Sequence, residues 1–337
     1  MRIANARRTR IKIPDPNIGL DLVRATEAAA IAGSRWVGRG ERYAGDKAAV
    51  DAMRDVLAAV PMRGVVVIGE GEKDNAPMLD NGEALGTGGG HGYDIAVDPI
   101  DGTELLTGGM GNAISVIAAS DRGTMYNPKD VFYMRKLVVG PDLADKVDID
   151  APVSDTIEKV AKARGVGPED VTVAMLQRAR HGKLVEEIRE AGARISFLPA
   201  GDIAASIAAA RPDTGVDIML GIGGTPEGII TACAMKAING TFLAQLAPQS
   251  NEEREKALAA GHDLDRVFTT NDLVGGDNAF FVATGITDGW LLDGVRYTRG
   301  SIRTRSIVVR SRSGTIRTII SDYRPDRLDD ASVLLEP

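Results

Sequence analysis

Apolar positions follow two different patterns on either side of residue 140. In the first part, apolar residues at helical spacing predict one long helix, and short apolar runs predict several strands. The helix is predicted at 16–36, and the strands are predicted at 65–68, 94–97, 113–119 and 131–139. We therefore expect an α+β lobe that ends near residue 140.

After Gly140 and Pro141, strand and helix patterns alternate. This alternation is typical of a doubly wound unit, whose strand-to-helix turns face one edge of a parallel sheet. The strands are predicted at 171–176, 194–198 and 216–220, and the helices at 181–191, 202–210 and 226–238. Later strand-like runs either close this second lobe or return to the first, and they lie at 278–283, 290–297, 302–310 and 315–320.

These patterns predict an α/β protein with an α+β first lobe and a doubly wound second lobe. The length of 337 residues favours two lobes that share a cleft. We expect a basic N-terminal arm at 1–15, a first lobe at 16–140 and a second lobe at 141–337. The arm is expected to be a solvated tail, because no apolar segment accompanies its positive charges.

The most informative motif joins a buried strand to a run of polar residues. Residues 94–97 are mostly apolar, and Pro99, which cannot donate to a strand ladder, is expected to end the strand at Asp98. The turn that follows, from Asp101 to Thr103, resembles a helix start that favours phosphate. The two aspartates are able to converge on one Mg²⁺ or Mn²⁺ ion. Alternatively, Asp-Pro and Asp-Gly are ordinary turn formers.

Three more acidic residues lie at comparable positions. Glu70 follows the strand-like run 65–68 between two glycines, which suits a close approach of the backbone to a ligand. Asp46 begins a periodic helix pattern, and taken alone it is most simply an N-cap. Glu227 follows glycine-rich residues 221–224 at a helix start, where it is either an acid stabilised by the helix dipole or a metal ligand.

The strand-to-helix turns of the second lobe supply the candidate phosphate contacts. Arg178 and Arg180 carry planar forks that bind two phosphate oxygens at once, although either is also acceptable as a solvated residue at a helix start. His181 either reaches a phosphate or starts a surface helix. In the first lobe, Tyr133 either reaches a ligand or is a packed aromatic residue.

The composition restricts the class of partner. A net charge of -7 and a pI near 5.2 argue against nucleic acid, while 44% hydrophobic residues support a sizeable core. No apolar stretch is long enough for a signal peptide or membrane span, so we expect a cytoplasmic enzyme. Cys233 is the single cysteine, so an intrachain disulfide is excluded. We expect Cys233 to be a packed residue of a helix. The three histidines lack the close spacing of a zinc site.

Taken together, the motifs resemble class II fructose-1,6-bisphosphatase, in the lithium-sensitive phosphatase superfamily. The resemblance covers nearly the whole chain from about residue 17, and its motifs lie at 36–40, 46, 68–72, 76–79, 98–103, 132–134, 180–181, 201–207 and 221–228. Asp-Pro-Ile-Asp-Gly-Thr at 98–103 is shared with inositol monophosphatases. The runs Gly-Glu-Gly-Glu and Gly-Gly-Thr-Pro-Glu-Gly narrow the match.

The resemblance implies a hydrolase that removes the 1-phosphate of fructose 1,6-bisphosphate in gluconeogenesis and glycerol metabolism. It implies a layered αβαβα architecture with the site between the lobes, Mn²⁺ or Mg²⁺ as cofactor, and a homo-oligomer, either dimer or tetramer. The implied metal ligands are Asp46, Glu70, Asp98, Asp101 and Glu227. The implied substrate contacts are Asp101, Gly102, Thr103, Tyr133, Arg178, Arg180, Gly201, Asp202 and Gly224. Asp46, Glu70 and Thr103 are the implied catalytic residues: Thr103 orients the attacking water, and Asp46 or Glu70 accepts its proton.

Three positions depart from the common family pattern. Asp101 stands where many members have glutamate, so a second metal ion would sit slightly differently. Arg42 replaces a lysine, and Ala200 replaces an aspartate that would contact a sugar hydroxyl. Other functions therefore stay open: an inositol monophosphatase-like enzyme, a sedoheptulose-1,7-bisphosphate phosphatase, and a non-catalytic sugar-phosphate sensor.

Overall fold

The structure is a computed structural model, and it describes residues 17–69, 79–128, 131–212 and 214–324. Its strands are β1 (Met62–Ile68), β2 (Ala84–Leu85), β3 (His91–Asp101), β4 (Ile114–Asp121), β5 (Tyr133–Val139), β6 (Thr172–Leu176), β7 (Arg194–Leu198), β8 (Ile218–Gly224), β9 (Thr241–Leu246), β10 (Phe268–Thr269), β11 (Ala279–Gly285), β12 (Arg296–Tyr297), β13 (Ile302–Arg310) and β14 (Thr315–Tyr323). Its α-helices are α1 (Gly19–Ser34), α2 (Arg42–Ala58), α3 (Thr103–Thr107), α4 (Val153–Arg164), α5 (Gly182–Glu190), α6 (Ile203–Ala209), α7 (Thr225–Ile238), α8 (Asn251–Ala259) and α9 (Thr270–Leu273). The α/β class predicted from the sequence is confirmed.

The first sheet combines strands from both ends of the described chain. Its main path runs β12-β13-β11-β4-β3-β1-β2, with β14 paired to β13. The late strands β11, β13 and β14 therefore join the sheet that holds β3. β1 and β3 run parallel, whereas β4, β11 and β13 pair with antiparallel neighbours. Helices α1 and α2 pack together against this sheet.

β3 does not end before Pro99, which corrects the expectation from the sequence. The strand continues to Asp101, with a register shift between the pairs Asp98 with Val116 and Asp101 with Ile114. Pro99 lies inside this bulge, where a residue without an N–H group is tolerated. The bulge leaves both aspartates within one strand end, and each is buried.

The second sheet is mixed, in the order β10-β9-β5-β8-β6-β7. Its parallel part, β7-β6-β8, is connected through α5 and α6 and corresponds to the predicted doubly wound unit. The remaining strands pair antiparallel, because β5 inserts between β8 and β9. β5 therefore belongs to the second sheet, whereas the preceding strand β4 belongs to the first.

Helix α7 contacts strands of both sheets, including β11 and β4 of the first and β5 of the second. One hydrophobic core accordingly contains Cys233 of α7, Phe281 of β11 and Met134 of β5. Cys233 is buried in the helix, as predicted, and burial raises the pKa of its thiol to about 12. No helix in the described part of the chain is long and apolar enough to cross a membrane.

Candidate active site

One cavity of about 520 Å³ is lined by residues of both sheets. Its walls come from the end of β3, the start of α2, the turns after β6 and β7, and the start of α7. Every predicted site residue that the structure describes lines it: Asp46, Asp98, Asp101, Gly102, Thr103, Tyr133, Arg178, Arg180, Gly201, Asp202, Gly224 and Glu227. The remaining predicted residue, Glu70, lies outside the described residues.

The end of β3 supplies two buried carboxylates to the cavity. Asp98 Oδ1 accepts a hydrogen bond from the Ile100 N–H at 3.1 Å. Asp101 is 2% exposed, and its Oδ2 accepts from the Ile203 N–H at 3.2 Å. Gly102 then turns the chain with φ 90°, a left-handed conformation that glycine adopts without steric cost. The backbone thus aims both carboxylates at the cavity before the short helix α3 begins.

Asp46 is not an N-cap, because α2 begins four residues earlier at Arg42. Its position one turn into the helix places its side chain in the cavity wall, where the Thr103 hydroxyl donates to Asp46 Oδ1 at 3.0 Å. Arg42 approaches the other oxygen, with 4.0 Å between Arg42 Nε and Asp46 Oδ2. The predicted catalytic residues Asp46, on α2, and Thr103, at the start of α3, are therefore hydrogen-bonded to each other.

Acidic side chains are concentrated at the floor of the cavity. Burial first, and then the carboxylates of Asp202 and Glu227, raise the pKa of Asp101 well above its usual value. Burial also raises the pKa of Asp202, with Glu227 adding to the effect and Lys136 opposing it. A bound cation would offset this concentration of acid groups.

Asp202 is engaged by a residue that the sequence analysis did not single out. Lys136 Nζ donates to Asp202 Oδ1 at 2.9 Å and to Oδ2 at 2.7 Å, and both side chains are buried. The sequence contains a signal that Lys136 is buried, because this residue lies between the apolar Met134 and Val138 on one face of β5. An unpaired charge at such a position is costly, which predicts a buried acidic partner.

The turn after β6 carries the two arginines. The Arg180 guanidinium lies 5.0 Å from the centre of the Tyr133 ring, and its Nη2 donates to the Ile222 carbonyl at 2.7 Å. Burial lowers the pKa of Arg180. Arg178 Nη1 donates to the Gln177 carbonyl at 3.1 Å and to the Pro199 carbonyl. Both guanidinium groups therefore border the cavity on the side of the second sheet.

His181 is neither a surface residue nor directed at a phosphate, which corrects both readings from the sequence. Its ring is buried, with Nδ1 2.8 Å from the Leu176 carbonyl and Nε2 accepting from the Ile222 N–H at 2.8 Å. These contacts tie the end of β6 to β8, and burial lowers the pKa of the imidazole. Gly221 has φ 136°, and a Cβ there would lie 3.0 Å from the ring. His181 thus fixes the turn that carries Arg180.

The side chains that line the cavity suit a hard cation chemically. Asp46, Asp98, Asp101 and Glu227 offer carboxylate oxygens, the donors that Mg²⁺ and Mn²⁺ prefer. Within residues 17–69, 79–128, 131–212 and 214–324, no three acidic, histidine or cysteine side chains already form a group able to hold an ion. Glu70, the remaining predicted ligand, lies outside these residues.

An α/β protein that directs carboxylates and two arginines into one cavity has the site of a phosphatase. The family model described as bacterial fructose-1,6-bisphosphatase, glpX-encoded, matches residues 16–323, and the chain belongs to this family.

Named relatives agree with this placement. The chain is 40% identical over 325 residues to "Fructose-1,6-bisphosphatase 1 class 2" of Escherichia coli (strain K12), covering 93% of this chain and 96% of that protein. "Fructose-1,6-bisphosphatase class 2" of Escherichia coli O6:H1 and of Shigella flexneri show the same identity and coverage. An extragenic suppressor structure from Pyrococcus furiosus aligns at 14% identity over 57% of this chain and 68% of that chain, with a TM-score of 0.28, too low to inform the fold.

Proposed function

We propose that this chain hydrolyses fructose 1,6-bisphosphate to fructose 6-phosphate and inorganic phosphate. The observation that carries the proposal is the cavity, which collects all twelve described site residues in a chain of the bacterial fructose-1,6-bisphosphatase family. The alternative of a sensor without catalysis is disfavoured, because the carboxylates at Asp46, Asp98, Asp101 and Glu227 are retained.

The reaction depends on divalent cations, for which we propose Mn²⁺ or Mg²⁺, two or three in number. When bound, such cations neutralise phosphate charge and lower the pKa of water. The proposed ligands are Asp46, Glu70, Asp98, Asp101 and Glu227. Asp101 is shorter by one methylene than the usual glutamate, and its hydrogen bond from the Ile203 N–H compensates by fixing the carboxylate at the cavity floor.

The protein residues have separate roles in the reaction. The attacking water is oriented by the Thr103 hydroxyl, which Asp46 already holds through a hydrogen bond. Asp46 or Glu70 accepts the proton of this water as its oxygen attacks phosphorus in line with the departing O1. The positive end of the α7 helix dipole favours the negative charge of a phosphate beside Gly224.

The phosphate that is not cleaved is proposed to bind Arg178 and Arg180. Their guanidinium groups line the cavity and offer paired N–H donors to phosphate oxygens. Tyr133, stacked against Arg180, orients this fork. Gly102, Gly201 and Gly224 allow the substrate to approach the backbone; Asp101, Thr103 and Asp202 complete the proposed substrate contacts.

We further propose the layered αβαβα arrangement of the lithium-sensitive phosphatase superfamily, which the contacts of α7 with both sheets support. In this proposal the metal-binding lobe spans 16–140, the sugar-phosphate lobe spans 141–337, and the strands after 278 return to the first lobe. The enzyme is proposed to be a cytoplasmic dimer or tetramer of gluconeogenesis and glycerol metabolism. The basic arm at 1–15 lies outside the described residues and receives no role.

A comparison of substrates tests the proposal. Phosphate release is measured with fructose 1,6-bisphosphate, sedoheptulose 1,7-bisphosphate and inositol 1-phosphate, each with Mg²⁺, Mn²⁺ or chelator. We expect the highest kcat/KM on fructose 1,6-bisphosphate and none in chelator. A preference for inositol 1-phosphate would assign the enzyme to the monophosphatases, and binding of the sugar bisphosphate without release would indicate a sensor.

A further inference from the structure

A buried ion pair lies directly beneath the floor of the cavity. The Lys136 side chain is 0% exposed and that of Asp202 is 2% exposed. Removing two charges from water has a large desolvation cost, which is offset only by close geometry. Here the ammonium reaches both carboxylate oxygens, at 2.9 Å and 2.7 Å. Asp202 therefore has both oxygens engaged from below, and its carboxylate is anchored within the protein.

The surrounding sequence preserves space for this pair. A Cβ at Gly223 would lie 2.1 Å from Asp202 Oδ2 and 3.2 Å from Lys136 Nζ. Gly223, at the end of β8, thus serves the packing of the ion pair as well as the access of a ligand.

Contacts continue from the pair to the end of β3. The Asp202 carbonyl accepts from Ser206 Oγ at 2.7 Å, so the residue is fixed at the start of α6 as well as by Lys136. The next residue, Ile203, donates its N–H to Asp101 Oδ2 at 3.2 Å. Asp101 belongs to the first sheet and Lys136 to the second, so this series of contacts connects the two sheets under the cavity.

We propose that Lys136 is a positioning residue that orients Asp101 for a divalent cation by holding Asp202 and the turn at 201–203. Lys136 does not line the cavity. Asp202 shares this positioning role through its contacts with Lys136. The inference rests on the proposed function, in which Asp101 is a metal ligand.

Removal of both charges tests the proposal without changing the net charge. The double variant Lys136→Met/Asp202→Asn keeps similar side-chain sizes and leaves no unpaired buried charge. Mn²⁺ binding to the metal-free protein is followed by electron paramagnetic resonance of free Mn²⁺. We expect affinity to fall about tenfold to a hundredfold, the range for residues that orient a metal ligand.

A second variant and a matched control complete the test. Lys136→Gln/Asp202→Asn retains a neutral hydrogen bond, so its Mn²⁺ affinity should lie between those of the wild type and the Met–Asn variant. If the Met–Asn variant does not fold, a loss of at least about threefold in the Gln–Asn variant supports the proposal. The control Arg303→Met/Asp322→Asn removes an exposed ion pair between β13 and β14, with 2.8 Å between Arg303 Nε and Asp322 Oδ1, and should bind Mn²⁺ as the wild type does.

Wild-type affinity for Mn²⁺ in a folded variant of the buried pair would overturn the proposal. A loss equal to that of the exposed control would overturn it as well. These results differ from failure of the proposed function, in which the wild-type protein itself would neither bind Mn²⁺ nor release phosphate.

Discussion

One methyl group added at Gly224 is expected to displace the Glu227 carboxylate. A Cβ at this position would lie 1.8 Å from Glu227 Oε2, whereas real Cβ contacts do not fall below 3.0 Å. The oxygen must therefore move by at least 1.2 Å, the difference between these two distances. The backbone of Gly224 has φ -65° and ψ 139°, which alanine adopts without strain.

Gly224→Ala should reduce activity without destabilising the fold. The Glu227 carboxylate is the far end of a flexible side chain, so it moves more readily than the backbone of α7. Because a misplacement of 1 Å in a catalytic arrangement costs about a hundredfold, we expect kcat to fall by about that factor. The melting temperature should change by less than about 3 °C.

The assay is phosphate release from fructose 1,6-bisphosphate as a function of Mn²⁺ concentration. Gly300→Ala is the matched control, because its Cβ would meet nothing within 4 Å. We expect wild-type kcat and Mn²⁺ half-saturation in the control and a higher half-saturation concentration in Gly224→Ala. Values for Gly224→Ala within about threefold of wild type would refute the assignment of Glu227 to the metal site.

Further predictions concern the two sides of the cavity. Asp98→Asn keeps an acceptor for the Ile100 N–H group but loses the negative charge. We expect this variant and Glu70→Gln to fold normally and to release no phosphate. Near-normal turnover in either variant would contradict the proposed set of metal ligands. Arg180→Lys should raise KM about tenfold, because a charge-assisted hydrogen bond to the phosphate is lost. An unchanged KM would show that Arg180 does not bind the phosphate. Burial lowers the pKa of His181 in the folded state, so below the ordinary histidine pKa of about 6.5 the unfolded state binds more protons than the folded state. The free energy of unfolding should therefore decrease as the pH falls through about 6.5. Urea denaturation of wild type and His181→Asn at several pH values checks this; identical pH slopes would contradict it.

The sequence predicted residues that converge in the structure, because the signals were local. Gly-rich strand ends, acids at strand or helix termini and arginines after a parallel strand are each visible within a few residues. The parallel strands β6, β7 and β8 placed their turns on one edge, as the alternation indicated. That these turns lie next to β3 of the other sheet depends on the tertiary structure, and only the family resemblance predicted it.

The expectations that failed depended on tertiary context. Pro99 does not end β3, since a bulge accepts the missing N–H group. Asp46 is not a cap, because α2 begins about one turn earlier, at Arg42. The buried pair of Lys136 and Asp202 was missed because its members are 66 residues apart and meet only when β5 lies beside β8.

The proposed reaction is hydrolysis of the 1-phosphate by attack of water at phosphorus. The most direct measurement supplies fructose 1,6-bisphosphate and Mn²⁺ in ¹⁸O-labelled water and analyses both products by mass spectrometry. We predict fructose 6-phosphate without label on its C1 oxygen and inorganic phosphate with a single ¹⁸O atom. Fructose 1-phosphate as product, or ¹⁸O on the C1 oxygen together with unlabelled phosphate, would contradict attack at phosphorus of the 1-phosphate.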